Sequence, residues 1–592
     1  MRRRDLLTGL AATTLAAGAP PAEARAVRRV RPGDPGWPSA AEWERLGRRV
    51  DGNLVQPGSL YGTCTEDVAG APCRALLPNL RNPFFIGDQA GGTQVSGWLD
   101  AWAPAVSPYA VAAHSTADVV AAVNFARRHN LRVAVKGGGH SYQGTSNAPD
   151  SLLIWLHPMQ AITMHDAFTP QGGSEATPAV SIEAGALWIQ AYDIVSVQNG
   201  RYAQGGGCTT VGVAGHIQSG GYGSFSKRYG TAAGNLLEAE VVTADGRVRV
   251  CNERRNSDLF WALKGGGGGS FGVITRVTVR THELPEHFGW ASGVIKANSD
   301  AAYRRLITEF ISFYAIALFN PHWGEQAHFR PNNTFEMSFV SQGLSTAESR
   351  EVWAPFLAWI AASPADYEIV EEIDVGAGDA RRWWDTSYHR EHTTSMHFDP
   401  RPGAASLNGW WSGDGDQVSM FLHAYDSIWL PQSLLQADQQ ERLVDALFRA
   451  SRAHSLGLHF NKGLAGGDAQ ACAHARTTAT NPGAVDAFAL AIIADGGPPP
   501  YLHIPGYEAD LNEAHADAEA VGRAAAAIRA AGDSGSYVSE SDYFNESWRE
   551  AFWGRNYPRL LAIKRRYDPN GLFIVHHGVG SEDWSADGFT PA

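Results

Sequence analysis

The sequence predicts an α+β protein built as two lobes. Its 592 residues, 44% of them apolar, are enough to form more than one hydrophobic core. Short segments with strand and helix patterns alternate between residues 104 and 285, whereas longer segments rich in Trp and Phe follow from residue 286. The change in pattern predicts a first lobe of short alternating elements and a second lobe of longer ones.

The charge balance excludes several classes of partner. The formal net charge is −13, which disfavours binding to nucleic acid or to an anionic membrane surface. Beyond the N-terminus, no apolar run approaches the roughly 20 residues that cross a bilayer. We therefore expect no nucleic acid and no membrane as partners, and a small-molecule substrate instead.

The first 24 residues have the features of an export signal. Arg2, Arg3 and Arg4 precede a modest apolar run, and Ala22 to Ala24 form a small-residue cleavage site. The arginines followed by Asp5 and two leucines resemble a twin-arginine signal, and a general secretory signal is the alternative. The protein is predicted to be secreted or periplasmic, by the twin-arginine route if it takes up a cofactor before export.

Five cysteines leave at least one thiol unpaired. Cys64 and Cys73 lie close together in an exported chain, which predicts a disulfide. Cys251 follows a strand pattern and Cys472 lies among alanines, so both are predicted to be buried apolar residues. Cys208 lies in a glycine-rich segment and is treated below.

Residues 25–103 are rich in Pro, Gly and Trp and are predicted to be an extension on the surface of the main body. At the start of the first lobe, Ser115 is a helix N-cap with an acid three positions later, and the helix pattern ends at Asn130. The segment LRVAVK then reads as a strand that runs into three glycines, and LLIWL reads as the next strand.

Further along the first lobe, AVSIEAG reads as a strand and LWIQAYDIVSVQNG as a helix. LLEAEVVTADGRVRV predicts a hairpin with its turn at Asp245 and Gly246. The first lobe is assigned to residues 104–285, the second to 286–545, and the C-terminal segment 546–592 is expected to return to the first lobe.

Two glycine-rich loops carry the most specific signal. In VAVKGGGHSYQGTSNAPDS, three glycines after a strand let successive N–H groups face inward and form a nest for phosphate oxygens. The spacing fits neither GxGxxG nor a loop ending in GK[ST], and a plain loop is the alternative for the glycines alone. The second loop, GGGCTTVGVAGHIQSGGYGSFSK, contains Cys208. Together the two loops offer His140 and Cys208 as groups that can bond to one cofactor.

Four segments resemble the signature blocks of berberine bridge enzyme-like flavoproteins, in the vanillyl-alcohol oxidase and p-cresol methylhydroxylase superfamily. They are the two glycine-rich loops, DLFWALKGGGGGSFGVIT and NYPRLLAIKRRYDPNGLF, in the family's order. The resemblance covers roughly residues 104–285 and 540–580. It implies a two-subdomain FAD-binding lobe of the p-cresol methylhydroxylase type and an α+β substrate lobe with an antiparallel sheet.

The resemblance implies that FAD is held by two covalent bonds, from His140 to the 8α-methyl and from Cys208 to ring position 6. An imidazole or a thiolate is the nucleophile that such bonds require. The other implied cofactor-lining residues are Lys136, Gly137, Gly138, Gly139, Ser141, Thr210, Val211, Gly212, Gly215, Gly220, Gly221 and Val273. Two attachment points would hold the ring without an enclosing pocket and leave room for a bulky substrate. In this family a small residue at the Val211 position resembles the oxidase pattern, which favours dioxygen as the electron acceptor.

Oxidation of an alcohol needs a base in the second lobe, facing the ring. The family places it in a YxNYxD-like strand, and this chain has SYVSESDYFN there. Tyr537 and Asp542 match the pattern, while Glu540 replaces the second Tyr. Glu540 is the first candidate for the base, with Tyr543 and Tyr537 as alternatives.

Other residues are weaker candidates for the site. Tyr142, two residues beyond His140, is a candidate substrate contact. His576 and His577 approach the ring or have structural roles, and His216 is predicted to be a structural hydrogen-bonding residue. Four tryptophans of the second lobe either stack on sugar rings or pack in the core: Trp383, Trp384, Trp410 and Trp411.

The sequence therefore predicts an FAD-linked oxidase of an alcohol or a sugar hydroxyl that releases hydrogen peroxide. A tailoring oxidase of a secondary metabolite, which cyclises or desaturates its substrate, is the enzymatic alternative. A flavin-binding protein without turnover is the alternative from another class.

Overall fold

A computed structural model describes residues 28–501 and 503–592. The predicted export signal lies outside the described residues. Within them, every helix is too short or too polar to span a lipid bilayer. The mixture of helices with several antiparallel sheets confirms the α+β class.

The first sheet has the order β1-β2-β4-β3, with β2, β4 and β3 parallel and β1 antiparallel to β2. The helix predicted from Ser115 covers it: Ser115 and Asp118 form a capping box, and Asn130 closes the helix with φ of 51°. The strands are β1 (Leu54–Val55), β2 (Tyr109–Ala112), β3 (Arg132–Lys136) and β4 (Ser151–Trp155).

The second sheet is antiparallel, with the order β5-β6-β10-β8-β9, and β7 pairs with β10. The predicted hairpin is confirmed, because β8 pairs with β9 around a turn in which Gly246 has φ of 76°. The strands are β5 (Ile162–Phe168), β6 (Thr177–Glu183), β7 (Arg201–Ala203), β8 (Leu236–Val242), β9 (Val248–Cys251) and β10 (Val273–Glu283).

The third sheet belongs to the second lobe and is the antiparallel sheet that the resemblance implied. Its order is β14-β11-β13-β12-β18-β19-β17, and β15 pairs with β16 in a separate hairpin. The strands are β11 (His287–Ala297), β12 (Trp323–Phe329), β13 (Thr334–Gln342), β14 (Tyr367–Asp379), β15 (Met396–Phe398), β16 (Gly409–Trp411), β17 (Phe421–Pro431), β18 (Leu456–His459) and β19 (Ala487–Gly497).

Helices fill the space around the three sheets. Four long ones, α10, α11, α14 and α17, pack against the third sheet and form its core. In chain order the helices are α1 (Ala40–Arg49), α2 (Gly62–Glu66), α3 (Ala71–Leu76), α4 (Pro83–Gly87), α5 (Thr116–His129), α6 (Trp188–Tyr192), α7 (Val213–Gln218), α8 (Ser226–Tyr229), α9 (Ser257–Leu263), α10 (Asp300–Phe313), α11 (Thr346–Ala361), α12 (Thr386–His392), α13 (Ser412–Gly415), α14 (Gln440–Ala453), α15 (Ala469–Arg476), α16 (Gly483–Asp486), α17 (Leu511–Arg529), α18 (Trp548–Trp553) and α19 (Tyr557–Tyr567).

The N-terminal extension is more than a surface covering. It adds β1 to the first sheet, and Trp43 of α1 stacks on Tyr109 with ring centroids 3.9 Å apart. The predicted disulfide between Cys64 and Cys73 is present and confirmed. Its position in a small cluster of aromatic and aliphatic side chains makes the bond part of a local core.

The structure favours packing over sugar stacking for two of the tryptophans and corrects one cysteine prediction. Trp384 stacks on Tyr192 at 4.0 Å and Trp410 is 7% exposed, so packing explains both rings. Cys251 is buried as predicted. Cys472 is only half-buried, and its Sγ donates to the Leu464 carbonyl at 3.3 Å.

The C-terminal segment packs into the core of the first lobe. Trp553 donates its Nε1–H to the Gly265 carbonyl, and the ammonium of Lys564 donates to the Ser270 carbonyl. Lys564 also forms an ion pair of 2.6 Å with Asp568, and the two side chains are 4% and 0% exposed. This buried pair fixes the end of α19 against the loop that follows α9.

We predict that Asp568→Asn lowers the free energy of unfolding by about 3–5 kcal/mol, because it leaves the buried Lys564 ammonium without its counter-charge. Urea denaturation followed by tryptophan fluorescence measures the change. Arg566→Gln is the control: its ion pair with Asp258 has a side chain 70% exposed, so its loss should cost about 1 kcal/mol or less. Equal losses in the two variants would contradict the account.

Candidate functional site

The site is built on direct contact between the two glycine-rich loops. The first begins where β3 ends, and the second runs into α7. A Cβ placed on Gly138 would lie 2.7 Å from the backbone nitrogen of Gly212, and Gly139 has φ of 75°. Any side chain at Gly138 would separate the loops, so the glycines are required for the approach.

His140 links the two loops. Its Nε2 shares a hydrogen bond of 3.0 Å with Oγ1 of Thr210. Desolvation lowers the pKa of His140 to about 4, although a hydrogen bond to the Thr210 backbone opposes the shift, so the imidazole is neutral at working pH. Nδ1 is the ring nitrogen that the bond to Thr210 Oγ1 does not occupy.

The Lys136 ammonium binds a loop from earlier in the chain. Its ammonium donates to the carbonyls of Gln89, Ala90 and Gly92. Burial lowers the pKa of Lys136 to about 7. The ammonium of Lys136 thus holds the loop at residues 89–92 against the first glycine loop, and a contact of Lys136 with the cofactor stays a prediction.

The remaining predicted cofactor-lining residues surround the contact between the loops. Oγ of Ser141 accepts two hydrogen bonds from Thr145, which folds the chain back after His140. A Cβ on Gly215 would meet no atom within 4 Å, whereas one on Gly221 would strike Ala232. The others lie on the second loop, the turn after α7 or the start of β10: Val211, Gly212, Gly220 and Val273.

Cys208 faces a carboxyl group that the sequence analysis did not identify. Its Sγ donates to Oδ1 of Asp414 at 3.1 Å. Desolvation and the Asp414 charge raise the pKa of the thiol well above its usual range. Desolvation raises the pKa of Asp414 to about 6, and its Oδ2 is buried without a hydrogen-bond partner among the described residues. Trp411 holds this segment in place by donating to the Gly207 carbonyl at 3.2 Å.

Tyr142 lies in the same cleft, as predicted for a substrate contact. Its hydroxyl donates to Oε1 of Gln417 at 2.9 Å, and its ring is 5.2 Å from that of Tyr425. Desolvation raises the pKa of both phenols well above the usual range, and the Glu540 charge adds to the shift. Both tyrosines are therefore neutral hydrogen-bond donors.

Glu540 forms an ion pair with Lys462, which the sequence analysis also missed. Lys462 follows β18 by three residues, and the neighbouring Asn461 donates to Oε1 of Glu325 at 3.2 Å. Desolvation raises the pKa of Glu325, while Lys462 lowers it. The Lys462 ammonium thus acts on carboxyl groups from two separate parts of the chain.

The segment around Glu540 is not a strand. Residues 537–540 form a tight turn closed by a single bridge between Tyr537 and Glu540, which corrects the expectation taken from the family pattern. Tyr537 is 5% exposed, and its ring meets Tyr222 at 5.1 Å, so it packs beside the cleft rather than opening into it. Asp542 caps the next turn through the backbone of Phe544.

Tyr543 is turned away from Glu540. Its ring stacks on His576 at 3.7 Å, and His576 also bonds to the Tyr543 carbonyl. His577 stacks on Trp548 at 5.3 Å. Tyr543 and the two histidines form one stacked group in the C-terminal segment, so the geometry favours Glu540 over Tyr543 as the base.

His216 has the structural role predicted for it. Trp188 donates to its Nδ1 at 3.1 Å, and its Nε2 bonds to the Tyr222 carbonyl at 2.9 Å. Burial lowers the pKa of His216 to about 4, so the neutral tautomer that satisfies both bonds persists.

The groups that the two glycine loops and Asp414 present fit FAD. The nest of backbone N–H groups suits a diphosphate, the open side of Gly215 leaves room beside the second loop, and a neutral imidazole and a thiol lie on the two loops. The buried, unpartnered oxygen of Asp414 marks a polar position at the thiol.

Comparison with known proteins agrees with this fit. The family model "FAD binding domain" matches residues 107–252, and "Berberine and berberine like" matches residues 512–580. The VAO-type flavoprotein oxidase VAO615 of Thermothelomyces thermophilus is 28% identical over 589 residues, covering 94% of each chain.

Solved structures share the fold. The crystal structure of the VAO-type flavoprotein MtVAO615 from Myceliophthora thermophila C1 matches with a TM-score of 0.78 and 26% identity, covering 95% of this chain and 99% of that one. Glucooligosaccharide oxidase from Acremonium strictum, described with a 6-S-cysteinyl, 8α-N1-histidyl FAD, matches with a TM-score of 0.61 and 22% identity, covering 82% and 94%.

Proposed function

We propose that this chain, an FAD-linked oxidoreductase similar to the berberine bridge enzyme-like flavoproteins, is an oxidase that takes hydride from an alcohol or sugar hydroxyl. His140 and Cys208 would both bond to the flavin, which would supply a hydride acceptor that dioxygen reoxidises with release of hydrogen peroxide. The observation that carries the proposal is the contact between the two glycine loops, one of which contains the imidazole of His140 and the other the thiol of Cys208.

Two features support the double attachment. The Thr210 bond occupies Nε2 of His140 and leaves Nδ1 for the 8α position, in keeping with the histidyl linkage named for the Acremonium strictum oxidase. Cys208 lies beside its hydrogen-bonded carboxylate in the same cleft. Bound FAD supplies the hydride acceptor, and dioxygen removes the two electrons as hydrogen peroxide.

Glu540 is the proposed base. Its ion pair with Lys462 fixes the carboxylate at the cleft that also contains Tyr142. The neutral phenol of Tyr425 donates a hydrogen bond that orients the substrate hydroxyl, and Tyr142, whose own hydrogen goes to Gln417, contacts the substrate through its ring or as an acceptor. Glu540 then takes the hydroxyl proton while hydride leaves the adjacent carbon.

The proposal also covers the electron acceptor of the flavin and the cellular location of the protein. Val211 is half-buried at the edge of the first-lobe core, where a small side chain leaves dioxygen access to the ring. The disulfide between Cys64 and Cys73 suits an oxidising compartment and supports secretion or a periplasmic location.

A tailoring oxidase of a secondary metabolite is the second candidate. Two observations favour it: Glu540 replaces the family tyrosine, and the rings of Trp384 and Trp410 are used in packing rather than offered to a sugar. Such an enzyme would couple hydride removal to ring closure or desaturation of a larger substrate.

We predict that anaerobic mixing with a substrate bleaches the flavin absorbance and that air restores it with one hydrogen peroxide per turnover. A panel of alcohols, oligosaccharides and aromatic alkaloid-like compounds identifies the substrate class. Bleaching by alcohols or sugars supports the leading proposal, and bleaching only by the larger compounds supports the tailoring enzyme. A binding protein would bleach with none of them.

We predict that Cys208→Ala keeps FAD attached through His140 alone, so that acid-precipitated protein remains coloured and its mass includes one FAD. The double variant with His140→Ala should release all its flavin to the supernatant. Cys472→Ala, a half-buried thiol elsewhere, is the control and should retain both bonds. Complete loss of flavin from Cys208→Ala would show that His140 is not an attachment point.

We predict that Glu540→Gln slows flavin reduction by about 100-fold or more, because the substrate hydroxyl loses its proton acceptor. Stopped-flow absorbance should show reoxidation by dioxygen within twofold of the parent rate. Glu546→Gln, an exposed acid nearby, should leave both rates unchanged. An unchanged reductive rate in Glu540→Gln would move the base to a tyrosine.

A further inference from the structure

The contact between Cys208 and Asp414 is not used in the substrate oxidation proposed above. Asp414 lies on α13 of the second lobe, 206 residues along the chain from Cys208, yet its Oδ1 accepts the thiol hydrogen at 3.1 Å. The Trp411 bond to Gly207 holds α13 against the second glycine loop. A carboxyl group is thus brought from another lobe to the one thiol that faces the cleft.

The environment of Cys208 disfavours the thiolate that bond formation requires. A thiol must become a thiolate to act as a nucleophile, and burial together with the Asp414 charge raises the pKa of Cys208. The charged groups that face it are Asp414, Lys462 and Glu540, and only Lys462 favours the thiolate. A free thiolate is therefore scarce, and the proton has to be removed by a base as the new bond forms.

Asp414 has the properties of that base. Glu540 is paired with Lys462, whereas Asp414 is hydrogen-bonded to the sulfur itself, and its Oδ2 is buried with no hydrogen-bond partner in the described part of the chain. Desolvation raises the pKa of Asp414 to about 6, which leaves it mostly ionised at neutral pH and a stronger base than an exposed carboxylate.

We propose that the chain catalyses its own covalent modification at Cys208 and that Asp414 is the catalytic base, taking the thiol proton as sulfur bonds to ring position 6 of FAD. This inference rests on the double attachment in the proposed function and deepens it. It assigns to Asp414 a reaction that occurs once in the life of the protein, separate from turnover.

The step balances. The S–H bond of Cys208 breaks, its proton passes to Asp414, and a carbon–sulfur bond forms at position 6. The hydrogen at that carbon leaves as a proton, and the electron pair of its bond remains with the ring system. Dioxygen, the acceptor named in the proposed function, removes these two electrons as hydrogen peroxide.

The test compares the full-length parent protein with Asp414→Asn, Asp414→Glu and Asp416→Asn, an exposed acid on the same loop. Each purified protein is denatured in acid, its free thiols are alkylated, and its peptides are weighed. We expect the parent and Asp416→Asn to carry flavin on both the His140 and Cys208 peptides. Asp414→Asn should carry flavin on His140 while Cys208 is alkylated, with at least tenfold less sulfur linkage, and Asp414→Glu should recover part of it.

A time course provides a second measurement that does not depend on the variants. The parent chain from riboflavin-starved cells is mixed with FAD in air between pH 5 and 8, and loss of the alkylatable Cys208 thiol is followed. Asp414 accepts a proton only when ionised, so the rate should rise with a midpoint near pH 6. Hydrogen bonding alone would not produce this profile.

The outcomes separate the two proposals. Full sulfur linkage in Asp414→Asn, or a rate that does not change around pH 6, would overturn the role of Asp414 while leaving the double attachment intact. An alkylated Cys208 in the parent holoprotein would overturn the double attachment, and the role of Asp414 with it. Flavin on His140 in Asp414→Asn also shows that the variant folds.

Discussion

The structure depends on the contact between two backbone segments that have no side chains between them. Gly138 and Gly212 approach so closely that one added Cβ would lie 2.7 Å from a backbone nitrogen, and the bond between His140 and Thr210 closes the contact on its cleft side. The first segment is anchored by the parallel sheet through β3, and the second by α7. The contact therefore turns two elements of the first lobe into one surface for a flat ring.

The second lobe adds charge to this surface. Glu540 from the turn before α18 forms an ion pair with Lys462, and the charge of Lys462 also acts on Glu325 from β12. The second lobe can supply these groups because its antiparallel sheet brings β12 and β18 together at one edge of the cleft.

Local features of the fold could be predicted from the sequence because their causes are local. The capping box at Ser115, the turn at Gly246 and the disulfide at Cys64 each depend on residues within a few positions of one another. The α+β class followed from the alternation of strand and helix patterns, and the resemblance to FAD-linked flavoproteins followed from four segments that include the glycine loops. His140 could be singled out because its flanking residues form an extended motif.

The second-lobe part of the site could not be predicted, because distant segments meet there. Lys462 and Asp414 have no motif around them, and only folding brings them to Glu540 and Cys208. The expected strand near residue 540 is a turn, which moves Glu540 toward the cleft and Tyr543 toward His576. The three carbonyls that accept from the Lys136 ammonium lie more than forty residues earlier in the chain, so no local pattern could have revealed them.

Mass spectrometry of peptides from the denatured parent holoprotein tests the central claim most directly. If one flavin bridges the loops, digestion should yield a single species in which the peptide containing His140 and the peptide containing Cys208 are joined through FAD. Recovery of both peptides unmodified, with free FAD in solution, would contradict the account.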